Sequence, residues 1–134
     1  MKLSNRAVDT TLEVEGVWVP WFEDATILVA RHNNPRYIQR IGKLFEELRM
    51  QKGTNYKPTQ EDLEMVARKA ASECLLLGWN GVTDDDGSYI SYTSELGFTL
   101  FNDPSHQDFY RLVLETAMNF ELYRKRRAEQ AAKN

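Results

Sequence analysis

Between Thr10 and Ala30 the hydrophobic positions recur at every second residue. Leu12 and Val14, then Val17 and Val19, alternate with polar or aromatic neighbours, and Ile27-Leu28-Val29 closes the stretch. Gly16 interrupts the first run, while Pro20 and the Glu23-Asp24 pair break the second. β-Branched and aromatic side chains at a period of two suit a half-buried pleated surface, so two or three short antiparallel strands are expected here. Pro20 cannot donate to a ladder, so its strand is expected to be an edge or to end there. Residues 1–9 read as a loosely ordered leader.

The period then lengthens. Asn34-Pro35 is a helix cap followed by proline at the first helical position. Tyr37, Ile38, Ile41, Leu44, Phe45 and Leu48 recur at three- and four-residue intervals, predicting an amphipathic helix to about Met50 that stops near Gly53. After a polar connection, Thr59 caps a second helix with Glu61 and Asp62 in its first turn. Leu63, Val66, Ala67, Ala70, Cys74 and Leu77 form its predicted inner face, and Gly78 its end. Trp79 to Thr93 reads as a loop, with Asp86-Gly87 turning between two short extended pieces. Thr93 or Ser94 caps a short helix through Leu96, Leu100 and Phe101; Asp103-Pro104 then opens the last helix. Its inner face is Phe109, Leu112, Val113, Thr116, Phe120 and Tyr123. Past Tyr123 the apolar face disappears, and fraying is expected where packing no longer supports the helix. The expected fold is α+β and mostly helical: a small N-terminal antiparallel sheet, then three longer helices and one short helix. Residues 1–123 form one domain in this reading, and 124–134 a charged tail.

Composition adds bounds. A chain of 134 residues with 42% hydrophobic and 28% charged residues is ordinary for a soluble domain. Cys74 is the only cysteine, so one chain holds neither a disulfide nor a thiolate metal cluster, and a reducing cytoplasm is the expected compartment. The start lacks the apolar core of a secretory signal, and no apolar run approaches the ~20 residues that span a bilayer. No membrane partner is expected. The net charge of −3 gives no overall footprint for nucleic acid. Arg124-Lys125-Arg126-Arg127 is the one basic block; Glu121 to Asn134 carries a local +3, which leaves −6 elsewhere. Without interleaved aromatics it reads as a complement to a helix C-terminus, not as a nucleic-acid arm.

Candidate chemistry is sparse. Cys74 lies on a predicted apolar face, where a free cysteine behaves as a small hydrophobe. His32 and His106 fall in polar segments and read as solvent-facing. Aligning Gly87 with the sixth position of an EF-hand loop puts Val82 first and Thr93 twelfth, so the first ligand and the closing glutamate are both missing. Gly78 and Gly81 do not match a phosphate-binding loop. The expectation is no enzyme, no cofactor and no metal.

The aromatics carry more information. Trp18 and Trp21 stand at odd spacing and point to opposite faces of one straight strand, leaving one of them, or Phe22, exposed. Trp79, Tyr89 and Tyr92 surround the long loop, where they either pack down as a satellite core or present a contact surface. Trp18, Trp21, Trp79, Tyr89 and Tyr92 are the candidate partner-binding residues.

With these residues placed, the chain resembles the tail assembly chaperones of long-tailed bacteriophages. The resemblance is carried by Gly16-Val17-Trp18-Val19, Ile27-Leu28-Val29-Ala30-Arg31, Asn33-Asn34-Pro35-Arg36-Tyr37, Leu77-Gly78-Trp79-Asn80-Gly81-Val82, Asp84-Asp85-Asp86-Gly87, Tyr92-Thr93 and the terminal helix with Phe120. It implies a small, mainly helical factor, found in the host cytoplasm and absent from the mature virion. Such a factor binds the tape-measure protein, keeps its helices from aggregating and helps recruit tail-tube protein. The resemblance also implies self-association and a frameshift-extended form; Lys133-Asn134 can be encoded by A-AAA-AAC, a slippery heptamer. It brings no catalytic motif. The competing readings are a tail-completion or head–tail joining protein of the virion, and a small DNA-binding regulator resting on Arg124 to Arg127.

Overall fold

The computed structural model describes residues 1–124. In chain order these form a 3-10 turn (Leu3–Arg6), α1 (Thr10–Glu15), β1 (Val17–Pro20), β2 (Thr26–Val29), α2 (Pro35–Lys52), α3 (Gln60–Cys74), β3 (Leu76–Asn80) and α4 (Ser94–Asn102). A 3-10 turn (Pro104–His106), α5 (Gln107–Met118) and a last 3-10 turn (Phe120–Tyr123) follow. The fold is α+β as expected, with a three-stranded antiparallel sheet in the order β1-β2-β3 and three longer helices beside the short α4.

The caps act where the local chemistry puts them. Asn34 accepts from the Tyr37 N–H at 3.0 Å, and Thr59 and Asp62 bond reciprocally as a capping box. Thr93 accepts from the Leu96 N–H at 3.2 Å; Asp103 accepts from that of Ser105 at 2.9 Å but starts only the 3-10 turn Pro104–His106, and α5 begins after it, at Gln107, without a side-chain cap. Each satisfies donors that the first helical turn leaves open.

Three predicted elements need correction. Leu12 and Val14 lie on a helix, not a strand: Asp9 accepts from the Thr11 and Leu12 N–H groups, both at 3.0 Å, and so starts α1. Two apolar residues at i, i+2 fit either period, and here a cap decides. The turn is fixed by Glu13, whose carboxylate meets Arg31 at 2.5 Å with both side chains largely buried. Secondly, Leu76 to Asn80 is a strand, so Leu77 does not extend α3 and Trp79 is not in a loop. A short unbroken apolar run fits a buried strand as well as a helix. Pairing with β2 settles it, setting Ile27 opposite Trp79 and Leu28 opposite Gly78. Thirdly, α5 stops at Met118, because Asn119 leaves helical geometry and the chain re-forms as a 3-10 turn. Of the predicted inner face, Phe109, Val113, Thr116 and Tyr123 are buried, while Phe120 remains 45% exposed.

That break lets the first and last described segments meet. The Tyr123 side chain is fully buried and its hydroxyl donates to the Val29 carbonyl at 2.9 Å. The Asp9 N–H donates to the Tyr123 carbonyl at 2.7 Å, and Val8 bridges Arg124. The leader is therefore tied down, contrary to the expectation of loose order. Arg124 is buried, donates to the Arg6 carbonyl and to Glu121, and lies 4.8 Å over the Phe120 ring. The rest of the charged tail lies outside the described residues.

The main core joins Ile27 and Val29 of β2, Leu76 and Trp79 of β3, and Ala71 and Leu75 to Phe101 of α4 and Phe109, Val113 and Ala117 of α5. A smaller one, Leu44 with Val66 and Ala70, joins α2 to α3. α4 sits close because Gly97 has no side chain. A Cβ there would overlap the Tyr92 hydroxyl and approach its ring to 2.9 Å, and that hydroxyl donates to the Ser72 carbonyl.

Two outcomes are expected. Gly97→Ala, normally favourable in a helix by about 1 kcal/mol, should instead destabilise by about 1–3 kcal/mol through overpacking, read as a lowered urea midpoint. The Arg124 hydrogen bond holds the Glu121 carboxyl below the usual range. A lowered folded pKa gives stability that is present above the unfolded value and lost as pH falls through the folded one. The Asp9 amide should thus exchange faster, relative to core amides, below about pH 4 than at pH 6.

Candidate interaction surface

The five candidate aromatics divide by the elements that carry them. A register shift in the β2–β3 pairing lets Leu76 and Trp79 of β3, three residues apart, both face inward, Trp79 opposite Ile27. Trp79 is buried, and its indole N–H donates to the Ile90 carbonyl at 2.7 Å, which ties the 81–93 loop to the sheet. Tyr92 meets it edge-on at 5.0 Å between ring centres, and Trp21 stacks on Phe109 at 4.2 Å. Trp21 and Trp79 lie 6.4 Å apart. Burial raises the ionisation of the Tyr92 phenol well above its ordinary value, so it remains a hydroxyl donor. Trp79, Tyr92 and Trp21 are thus drawn together as a packed aromatic group, and Trp79 leaves the candidate contact set.

Trp18 and Tyr89 stand apart from this group. Trp18 projects from the outer face of the sheet across from Leu28 and is 51% exposed; Tyr89 is 82% exposed. Phe22, at the turn between β1 and β2, is 72% exposed.

A second apolar surface lies between α2 and α3, where Leu44, Leu48, Met65 and Val66 line an open groove with Glu47, Gln51, Asp62 and Lys69. Met65 is 49% exposed, and Leu63, expected on the inner face of α3, is instead 42% exposed. Sequence held a signal for this groove. Two large apolar residues two apart on a helix point about 200° from one another, so one core cannot take both.

The polar groups are largely committed to structure. Asp84 accepts from the Asp86 and Ser88 N–H groups at 2.9 and 3.0 Å, closing its turn. The Cys74 thiol is half-buried, and burial raises its pKa, which disfavours the thiolate. His32 is exposed with its Nδ1 3.2 Å from the Ala117 carbonyl, and His106 is exposed beside Asp103. Among the described residues no group of three His, Cys, Asp or Glu could hold a metal ion. No described helix is long and apolar enough to cross a membrane.

Comparison with protein families gives a match. The family described as YdaY prophage protein covers residues 32–134, three-quarters of the chain. The chain belongs to the YdaY prophage protein family. It is phage-derived. No curated protein and no solved structure matches it. In this YdaY-family protein the matched segment takes in β3, the 81–93 loop and helices α2 to α5, including the groove; the β1–β2 hairpin with Trp18 and Phe22 precedes it.

Trp79→Ala should cost about 3–5 kcal/mol, as expected for emptying a buried aromatic site. Trp18→Ala should stay within roughly 1 kcal/mol of the parent. Denaturant unfolding of both variants checks the division, and equal losses would place Trp18 in the core.

Proposed function

We propose that this phage-derived protein is a non-enzymatic tail assembly chaperone. It binds the tape-measure protein in the host cytoplasm, keeps that client's helices soluble and helps recruit tail-tube subunits. It leaves before the virion matures. The observation that carries this reading is the groove between α2 and α3, whose floor of Leu44, Leu48, Met65 and Val66 opens to solvent along two well-capped helices. A groove of this kind suits the apolar face of an amphipathic helix, in the mode in which helices dock into hydrophobic clefts. Trp18 and Tyr89, with Phe22, offer further exposed aromatic surface, the residue type that dominates contact energy at protein interfaces. The resemblance to tail assembly chaperones supplies the client, and membership in a prophage family agrees with that setting. Many weak grooves acting along one long client gain through multivalency while each stays displaceable by tube subunits.

Co-expression with the tape-measure protein of the same phage tests the reading. The client should be soluble and co-purify with the parent protein. It should be insoluble alone, or beside a Leu48→Glu, Met65→Glu variant of unchanged circular dichroism. A client equally soluble without the protein, or the protein present in stoichiometric amount in purified particles, would overturn it.

A further inference from the structure

The groove between α2 and α3 continues past its apolar floor. The two helices run antiparallel: Arg40 bonds Glu73 at 2.9 Å near one end, Leu44 packs with Val66 and Ala70, and the Tyr56 hydroxyl, just past α2, donates to Asp62 at the other. α4 lies antiparallel along the upper part of α3. The Tyr92 hydroxyl, ahead of α4, donates to the Ser72 carbonyl, and Arg68 donates to Asn102 at its end at 3.5 Å. A polar cleft opens there between Arg40 of α2 and Ser94, Glu95 and Phe98 of α4. Lys69 lines both this cleft and the apolar groove, which are therefore two parts of one trough along α3. From Asp62 to Glu73 its length is about 16 Å, close to three helical turns.

Most charges along the trough are committed within the chain. Glu73 and Glu47 lie 2.9 and 3.8 Å from Arg40, and Asp62 accepts from the Thr59 N–H in its capping box. Lys69 and Glu95 are exposed and have no salt-bridge partner among the described residues. Lys69 stands about one turn beyond Val66 on α3, and Glu95 lies further along, in the first turn of α4. From the tip of the helical hairpin the trough thus presents Leu48 and Met65, then Leu44 and Val66, then a lone cation, then a lone anion. Complementary charge at such positions selects among partners and fixes register more than it adds affinity.

We propose that the trough takes an amphipathic helix whose apolar stripe is continued by an acidic residue, set against Lys69, and then by a basic one, set against Glu95. The inference rests on the groove as the client site and adds the order of side chains that the client carries. Apolar residues at three- and four-residue spacing cover the floor. The acid then falls one turn on, and the base one turn further. An apolar groove alone accepts any helix with a greasy face. Exchanging the two charges sets a cation against Lys69 and an anion against Glu95, and such like-charge meetings reject the wrong helix.

Fluorescence anisotropy with labelled, designed helical peptides tests it. Each peptide carries one leucine stripe, followed at its N- or C-terminal end by Glu and then Lys a turn further out, or by Lys and then Glu. In at least one chain direction the Glu-then-Lys peptide should bind at least about five-fold tighter than its exchanged twin. The gap should close in about 500 mM NaCl, where the Debye length falls to about 4 Å. A Lys69→Glu, Glu95→Lys variant should invert the preference with an unchanged circular dichroism spectrum; if that variant misfolds, Lys69→Met should at least halve the preference. Equal affinities for both orders in both directions, or a preference that survives the charge exchange, would overturn the inference. The groove reading then still stands, provided that Leu48→Glu, Met65→Glu abolishes peptide binding. Peptides bound equally well by that apolar-floor variant, or not bound by the parent protein at all, would overturn both.

Discussion

The hydrogen bond from the Trp79 indole to the Ile90 carbonyl fastens the loop that follows β3 back onto the sheet. One side of the ring system belongs to a strand inserted between two helices; the other end fastens a loop that local propensity would leave free. With the indole in place, Tyr92 is set edge-on and its hydroxyl reaches Ser72 at the end of α3, and Phe109 of α5 lies close by at 6.4 Å. A buried indole needs a partner for its N–H and brings a large apolar area, so a single side chain both orders a loop and fills a core. α4 can lie over Tyr92 only because Gly97 leaves the room.

The legible parts of the fold were those decided by neighbours in sequence. Asn34, Thr59 and Thr93 begin α-helices, and Asp103 a 3-10 turn, because a short polar side chain two or three residues ahead of an open N–H suffices, wherever the rest of the chain goes. β3 was not legible on those terms. Leu75-Leu76-Leu77 continues a helical face as readily as it forms a strand, and only the hydrogen-bonding edge of β2, more than forty residues away in sequence, decides. α1 went the other way: the alternation of Leu12 and Val14 was real, but the Asp9 cap and the Glu13–Arg31 pair outweigh it. The surface inherits these errors. Moving Trp79 from loop to strand moves it from outside to inside, while Trp18, read on the correct element, is exposed as its spacing suggested. The α2–α3 groove is not legible in the predicted inner face of α3, because Met65 stands off that face, and Leu63, expected on it, is exposed.

The surface that remains is unevenly furnished. Apolar side chains open along the helical hairpin, while Phe22, Tyr89 and the carboxylates of Glu23, Asp24, Asp85 and Asp86 stand exposed on turns. Fixed distributions of this kind set which surfaces attract one another in dilute solution, independently of net charge. A protein that is close to neutral in sum can therefore be strongly directional in its contacts.

The tie between Asp9 and Tyr123 bears on when the molecule can become whole. On a ribosome, the α2–α3 pair and even the sheet have all their residues available well before residue 123 is made. The leader has nothing to bind until then, and Val29 waits for the phenol that covers it. Domains emerge N-terminal first at roughly 5–20 residues per second, so this fold closes only as its last described residues are released, and a nascent chain stalled short of them exposes a seam along β2 that the finished protein hides.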